Sequence, residues 1–442
     1  MIASGSRPTG ISLSFTVEKD VANGFLSLGK YDATRALVRS GAIDVDVVDG
    51  SFQFELRDGL FSNRGKPLRR VKPARVSLDR ESLFDIVQRC RAEWQETVID
   101  RNDLIASPGK GQKKRFVFEE KWEEPVDTQT FREIGGRLAR AGQALFDLVF
   151  DRDEAEDLAR DLRMTTRQGE CVFTVNAPHF HLPWGMLYTH PDPNTPLDAD
   201  GFNFDPRGFW GYQHIVEQFT NDHPVIDQLR PVVGKLGFGV ALHPGIASSC
   251  LTGHQKFVAA NESRLNYAEW TTRRQVEAAL SASPFENRIV YFLCHAEGAG
   301  SVEHPSLRPP ALELADAVIE ATDIRNWIQK RLQTDQPLVF LNACRAGQLG
   351  TLVYRNYTFA TQFLERGAAC VIGPQTEVPA VFAGEYGRRF FEELLSNNNP
   401  PKQVGPAMRD LARFFWEKRN PLGLAYSLYA GADCHIQWRE ER

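Results

Sequence analysis

RIVYFLCHAEGAG spans residues 288–300. Its first half is an unbroken apolar run, and its second half is a cysteine, a histidine and a glycine-rich tail. A short continuous apolar run bounded by breakers reads as a strand buried on both faces. The same pattern recurs in CVFTV (171–175), KLGFGVALHP (235–244), PLVFLNAC (337–344) and AACVIGP (368–374). Amphipathic helices are expected between these runs. They are TTRRQVEAALSAS (271–283), TDIRNWIQKRL (322–332) capped by Thr322 or Asp323, TFATQFLERG (358–367) closed by Gly367, and PAVFAGEYGRRFFEELL (379–395) with Pro379 in its first turn. Strand alternating with helix is the signature of an α/β fold with a mainly parallel sheet, whose reactive groups gather at the carboxyl ends of the strands.

Upstream the character differs. TQTFREIGGRLARAGQALFDLVF (128–150) reads as a helix, with helix continuing through Asp161. Before it, ISLSFTV (11–17) and SFQFELRD (51–58) alternate as half-buried strands do, and ESLFDIVQRCRAEWQETVI (81–99) has helical spacing. RGKPLRRVKPAR (64–75) is read as a solvated basic connector, because no aromatic residues interleave with its charges. SPGKGQKKR (107–115) reads as a flexible basic loop. The expected organisation is an N-terminal accessory α+β region, 1–125, followed by a larger domain, 126–442. That domain divides into a non-catalytic half, 126–265, and a catalytic half, 266–442.

Composition narrows the function. The 442-residue chain is 42% hydrophobic with net charge −5. It can therefore build a core, and no overall positive charge draws it to nucleic acid or an anionic membrane. No membrane span and no secretory leader are read from it. Seven cysteines at irregular spacing, with no CxxC pair, argue against a disulfide framework or a zinc finger and fit a reducing cytoplasm.

Cys294 and His295 are neighbours on the expected strand, so their side chains point to opposite faces and Cys294 is assigned to the core. His295 and Cys344 are 49 residues apart and end two different apolar runs. If those runs pair in parallel, His295 and Cys344 emerge together. An imidazole beside a thiol takes its proton and later protonates the leaving amine. Backbone N–H groups of Ala296 and Cys344 are the candidate donors to a tetrahedral oxyanion.

NACRAG around Cys344 resembles the caspase word QACRG with one extra residue, with a histidine about 50 residues upstream as in caspases. The wider match resembles the CHAT family, caspase-like proteases related to caspases and separase. It runs through HLPWGMLY (181–188), which resembles an early strand segment of the family, and through YFLCHAEG, PLVFLNACRAG, FLERGAACVIGPQTEVPAVFAGEYGRRFFEELL, PAMRDLARFFW and LAYSLYAG, roughly residues 128–436. The resemblance implies a caspase-like α/β/α sandwich and a cysteine endopeptidase that needs no metal or organic cofactor. It makes His295 the catalytic histidine and Cys344 the nucleophile, and places Asn342 in the pocket for the residue before the cut. Gln375 and Glu377 are further candidates for that pocket, and Glu377 would favour a basic residue there. The sequence departs from the family at Ala296, where glycine is common, and at Ala380, where aspartate is common.

Such proteases are commonly latent, often within bacterial defence or programmed-death systems. The implied partners are a protein substrate and an activating or regulatory protein that meets residues 1–125. Two other readings use the same residues: a non-catalytic caspase-like scaffold and a hydrolase of small molecules. His179 and His181 share a strand face but have no third metal ligand. His243, His254 and His304 are assigned no role. GKGQKK (109–114) lacks the spacing of a phosphate loop.

Overall fold

Six strands organise the second half of the chain in a computed structural model: β1 (Leu236–Leu242), β2 (Leu265–Trp270), β3 (Ile289–Leu293), β4 (Leu338–Leu341), β5 (Cys370–Pro374) and β6 (Tyr426–Tyr429). Their order in the sheet is β2-β1-β3-β4-β5-β6. The first five are parallel and β6 runs antiparallel to β5. The expected α/β/α sandwich with a mainly parallel sheet is the observed fold. The described residues are 37–58, 69–70, 74–107, 111–178, 180–220, 229, 232–297, 311–328, 332, 334–342, 359–396 and 400–439. The expectations for 11–17, His179, His304 and Cys344 lie outside them.

Both faces of the sheet are covered, which is why β1, β3, β4 and β5 are apolar at every position. Ile289, Tyr291, Leu293, Leu338 and Phe340 pack into one core with the helices Ser248–Ala260, Ala380–Leu394 and Val404–Glu417. Val290, Phe292, Cys294, Val339 and Leu341 pack into the other, under the helices Arg273–Ser281, Ala321–Ile328 and Phe359–Glu365. Residues alternate between the two cores with the period-2 geometry of a strand. Gly239 in β1 leaves room for the Trp270 ring, which a methyl group there would overlap. Thr322 and Asp323 lie inside their helix rather than at its cap, although Asp323 does accept the Glu320 N–H at 3.0 Å.

The sheet does not stop at β6. Ile215–Phe219, Val172–Asn176 and Gly41–Val48 continue it in parallel, and Ser51–Asp58 closes a hairpin on Gly41–Val48. Asp49 and Gly50, both with positive φ, form the two-residue hairpin turn. The region expected as accessory thus supplies edge strands to the same sheet, and 37–442 is one compact unit. The helix Arg80–Trp94 packs on the helix Thr128–Phe150. Arg39 anchors the entry to this region. Its guanidinium meets Glu217 and Asp433, both at 2.5 Å, and all three are buried.

Three local expectations are corrected. The loop 107–115 is half of a hairpin, Asn102–Ser107 against Gly111–Phe116. The HLPWGMLY segment forms a 3-10 turn, Trp184–Met186, rather than a strand. The apolar run 288–295 is broken: β3 ends at Leu293, the chain bends at Cys294, and His295 starts a second strand, His295–Glu297. That strand pairs antiparallel with Ala311–Glu313, which pairs with Val318–Glu320, to make a small sheet beside the main one. A backbone that must leave the main sheet cannot continue its ladder, so the bend falls where main-sheet pairing stops.

Candidate active site

The carboxyl ends of β1, β3 and β4 surround a cavity of about 320 Å³. The strand order reverses between β1 and β3, and such a switch point leaves a crevice that open α/β sheets use for ligands. Leu293, Cys294 and His295 line it together with Asn342 and with Glu377, Val378 and Pro379. Ile246 and Ala247, from the turn after β1, also line it, as do Ile99 and Glu119 from earlier in the chain.

The β3–β4 register defines the alignment at this end. Phe292 pairs with Leu341, and the Asn342 N–H donates to the Phe292 carbonyl at 2.9 Å. His295 lies three positions beyond Phe292, and in the sequence Cys344 lies three positions beyond Leu341.

Asn342 is 2% exposed and held by a complete set of bonds. Its amide donates to the Tyr291 hydroxyl at 2.7 Å and to the Ala383 carbonyl at 2.6 Å, and its oxygen accepts from Tyr426 at 2.6 Å. Both amide hydrogens are used internally, so the residue shapes the cavity base. Gly387 makes this arrangement possible, since a methyl there would overlap the Tyr291 hydroxyl. Burial pushes the Tyr291 phenol well above its ordinary range, so it stays neutral and accepts the Asn342 bond.

The structure brings His295, Asn342 and Glu377 to one cavity and places Gln375 elsewhere. Gln375 is buried; it accepts from Arg91 at 2.7 Å and donates to Tyr429 at 2.6 Å. Ala296 lies on the small sheet opposite Leu312. Ala380, at the start of its helix, also lines the cavity. Gln95 donates to Glu377 at 3.1 Å. Residues 91–119 therefore hold two of the candidate specificity residues and form part of the cavity wall. Their alternation and helical spacing gave no sign of this.

Six cysteines are described, and all are buried. Burial pushes the Cys90 and Cys250 thiols up to about 12, and Cys370 also well above its ordinary range. Cys294, which packs in the core as expected, also touches the cavity. His181 meets Gln218 at 3.1 Å. Among the described residues no group of His, Cys, Asp or Glu side chains is arranged to hold a metal ion. No described helix is long and apolar enough to cross a membrane.

Residues 244–414 match the CHAT domain.

The CHAT match covers β2 to β5 and most of the residues that line the cavity, and is narrower than the stretch 128–436 over which the sequence resembles the family. The sheet continues outside it at both ends. No curated protein matches the chain. Among solved structures, a chain of the Saccharomyces cerevisiae separase–securin complex at 3.0 Å is similar with a TM-score of 0.44 and 9% identity over 90% of this chain. A second structure of that complex, at 2.6 Å, gives 0.41 and 11% over 90%. A structure described as a protease gives 0.35 and 8% over 63% of this chain and 69% of its own. The chain spans 30% of the length of the first two.

Proposed function

We propose that this protein is a cysteine endopeptidase of the caspase-like type, with His295 and Cys344 as its dyad. The observation that carries this is the β3–β4 register. Phe292 pairs with Leu341 in adjacent parallel strands, and in the sequence His295 and Cys344 each lie three positions beyond that pair. The CHAT match over 244–414 includes both residues.

In this reading the Cys344 thiolate attacks the peptide carbonyl. The oxyanion is met by backbone N–H groups, those of Ala296 and Cys344 being the candidates. The His295 imidazolium protonates the leaving amine, and the neutral imidazole then activates water to cleave the acyl-enzyme. The cavity between His295 and Glu377 takes the side chain before the cut. Its apolar walls suit a long methylene stem, and the Glu377 carboxylate suits a cationic end. A buried ring of bonds around Asn342 fixes the cavity's base. Gln375 contributes indirectly, by tying Arg91 to Tyr429 beneath the pocket.

Residues 37–125 act as the regulatory element through contact with the pocket: Gln95 on Glu377, Arg91 on Gln375, and Ile99 and Glu119 in the wall. A partner protein that shifted this segment would reshape the pocket. A latent protease controlled in this way suits bacterial defence or programmed death, and a reducing cytoplasm suits its thiol.

The test is a pair of fluorogenic peptides that differ only in arginine or aspartate before the reporter, assayed with wild type, Cys344→Ala and Glu377→Gln. The reading expects cleavage after arginine, none with Cys344→Ala, and a drop of about tenfold or more with Glu377→Gln from loss of one charge-assisted contact. Cleavage that survives Cys344→Ala would refute the dyad, and a preference untouched by Glu377→Gln would refute the pocket assignment. A folded chain that cleaves neither these peptides nor any cellular protein would favour the scaffold.

A further inference from the structure

The first turn after β1 places a second histidine against His295. The ring centroids of His243 and His295 are 4.9 Å apart, with planes at 63°, an edge-to-face contact. The two residues follow the carboxyl ends of adjacent parallel strands, β1 and β3, on either side of the point where the strand order reverses. His243 is fixed at both ends. Its backbone N–H donates to the Leu293 carbonyl at 3.0 Å, which locks it to the end of β3. Its ring Nδ1 accepts the Gly245 N–H at 3.0 Å, which sets the ring's rotation. The same turn continues into Ile246 and Ala247, which wall the cavity.

We propose that His243 is a positioning residue for His295: its ring, fixed by the Gly245 N–H, braces the His295 imidazole edge to face and holds it toward the cavity. This rests on the reading of His295 as the base of the dyad.

The need for a brace follows from the bend at Cys294. A side chain in the middle of β3 is held by neighbours on both sides, whereas His295 sits where the main sheet has ended and the small sheet begins. A general base must keep its ring within hydrogen-bond reach of the proton it takes, and a small misplacement is costly in rate. Nδ1 of His243 accepts the Gly245 N–H, which leaves Nε2 as the ring's donor in this arrangement.

The test reads thiol reactivity, which needs neither the substrate nor the activating partner. The full chain is treated with iodoacetamide at neutral pH, and the rate at Cys344 is followed by mass spectrometry. The six described cysteines are buried, and their protection reports that each variant stays folded. His295→Ala sets the reference, with an expected fall of about tenfold as the thiolate fraction drops to the few per cent of an unassisted thiol. His243→Ala is expected to fall most of the way to that reference. Two further variants separate bracing from loop structure. His243→Phe keeps a ring against His295 but loses the acceptor for Gly245. His243→Asn keeps an acceptor for Gly245 but loses the ring. The proposal expects Phe to restore the rate to within about twofold of wild type and Asn to stay low. A rate restored by Asn and not by Phe, or unchanged in all three His243 variants while His295→Ala falls, would overturn it. If His295→Ala itself left the rate unchanged, the dyad reading would fail, and with it the inference built on it.

Discussion

Gln95 donates a 3.1 Å hydrogen bond to Glu377 across 282 positions of sequence. Four residues earlier Arg91 donates to Gln375 at 2.7 Å. The helical segment 80–99 is therefore bonded to the residues around the candidate pocket. Trp94, Phe52 and Phe54 are buried in the same core as Phe146, Phe150 and Phe180. Removing residues 1–125 is expected to strip the described strands Gly41–Val48, Ser51–Asp58, Arg69–Arg70 and Ala74–Val76 from the sheet, expose this aromatic core and abolish cooperative folding. It is not expected to release an active enzyme. Thermal unfolding of the truncated chain checks this: a sharp transition at the full-length temperature would show that the remainder stands alone.

Arg39 is 7% exposed and compensates Glu217, which is fully buried, together with Asp433. Arg39→Leu leaves two buried carboxylates without their cation. The expected cost is about 3–5 kcal/mol, read as a shift in the urea midpoint. Adding Glu217→Gln is expected to recover part of the loss, because it removes one uncompensated charge. A loss below about 1 kcal/mol in the single variant would mean that the network is solvated.

Asn342→Ala removes the bonds to the Tyr291 hydroxyl, the Ala383 carbonyl and the Tyr426 hydroxyl and opens a void under the cavity. Buried polar groups without partners cost about 1–3 kcal/mol each. The variant is expected to lose stability by that order and to lower kcat on any peptide that wild type cleaves. Asn342→Asp keeps the shape but places a charge between two buried tyrosines and is expected to be at least as damaging.

Acid should weaken the fold through two buried histidines. Burial pushes His254 down to about 4 and His214 down to about 3, from an ordinary value of 6.5. Both are neutral in the folded chain and free to protonate in the unfolded one. Below pH 6.5 the unfolded chain therefore binds more protons, and stability falls as pH drops until the folded-state values are reached. The expected loss is about 2 kcal/mol per histidine between pH 6.5 and pH 5. Urea midpoints at the two pH values, with and without His254→Gln, measure it. An unchanged pH slope in that variant would mean that His254 titrates normally in the folded state.

The sheet was legible because each core strand is apolar at every position, a pattern that only double burial produces, and because breakers bound each run. The condition set by the sequence reading, that the apolar runs of 288–295 and 337–344 lie side by side in parallel, is met by β3 and β4. What escaped were contacts that no local pattern records. The bend at Cys294 follows from the small sheet formed with 311–320, which the sequence marks only as a loop with scattered apolar residues. His243 looked solitary in the sequence, and only the β1–β3 pairing brings it to His295. Gln375 looked like a pocket residue from its place beside Glu377. Residues two apart on a strand share a face, but β5 ends at Pro374 and the chain bends at 375–376, so Gln375 bonds Arg91 and Tyr429 while Glu377 lines the cavity. Edge strands before residue 60 alternate like those of any half-buried hairpin, so nothing in them named the sheet they join.

The measurement that tests the central claim most directly is a comparison of new protein N-termini. Source-cell lysate is incubated with wild type, Cys344→Ala and Cys294→Ala, all full length. The account predicts a set of new N-termini with wild type, the same set with Cys294→Ala, and none with Cys344→Ala. New termini that persist in Cys344→Ala, or vanish in a folded Cys294→Ala, would contradict it.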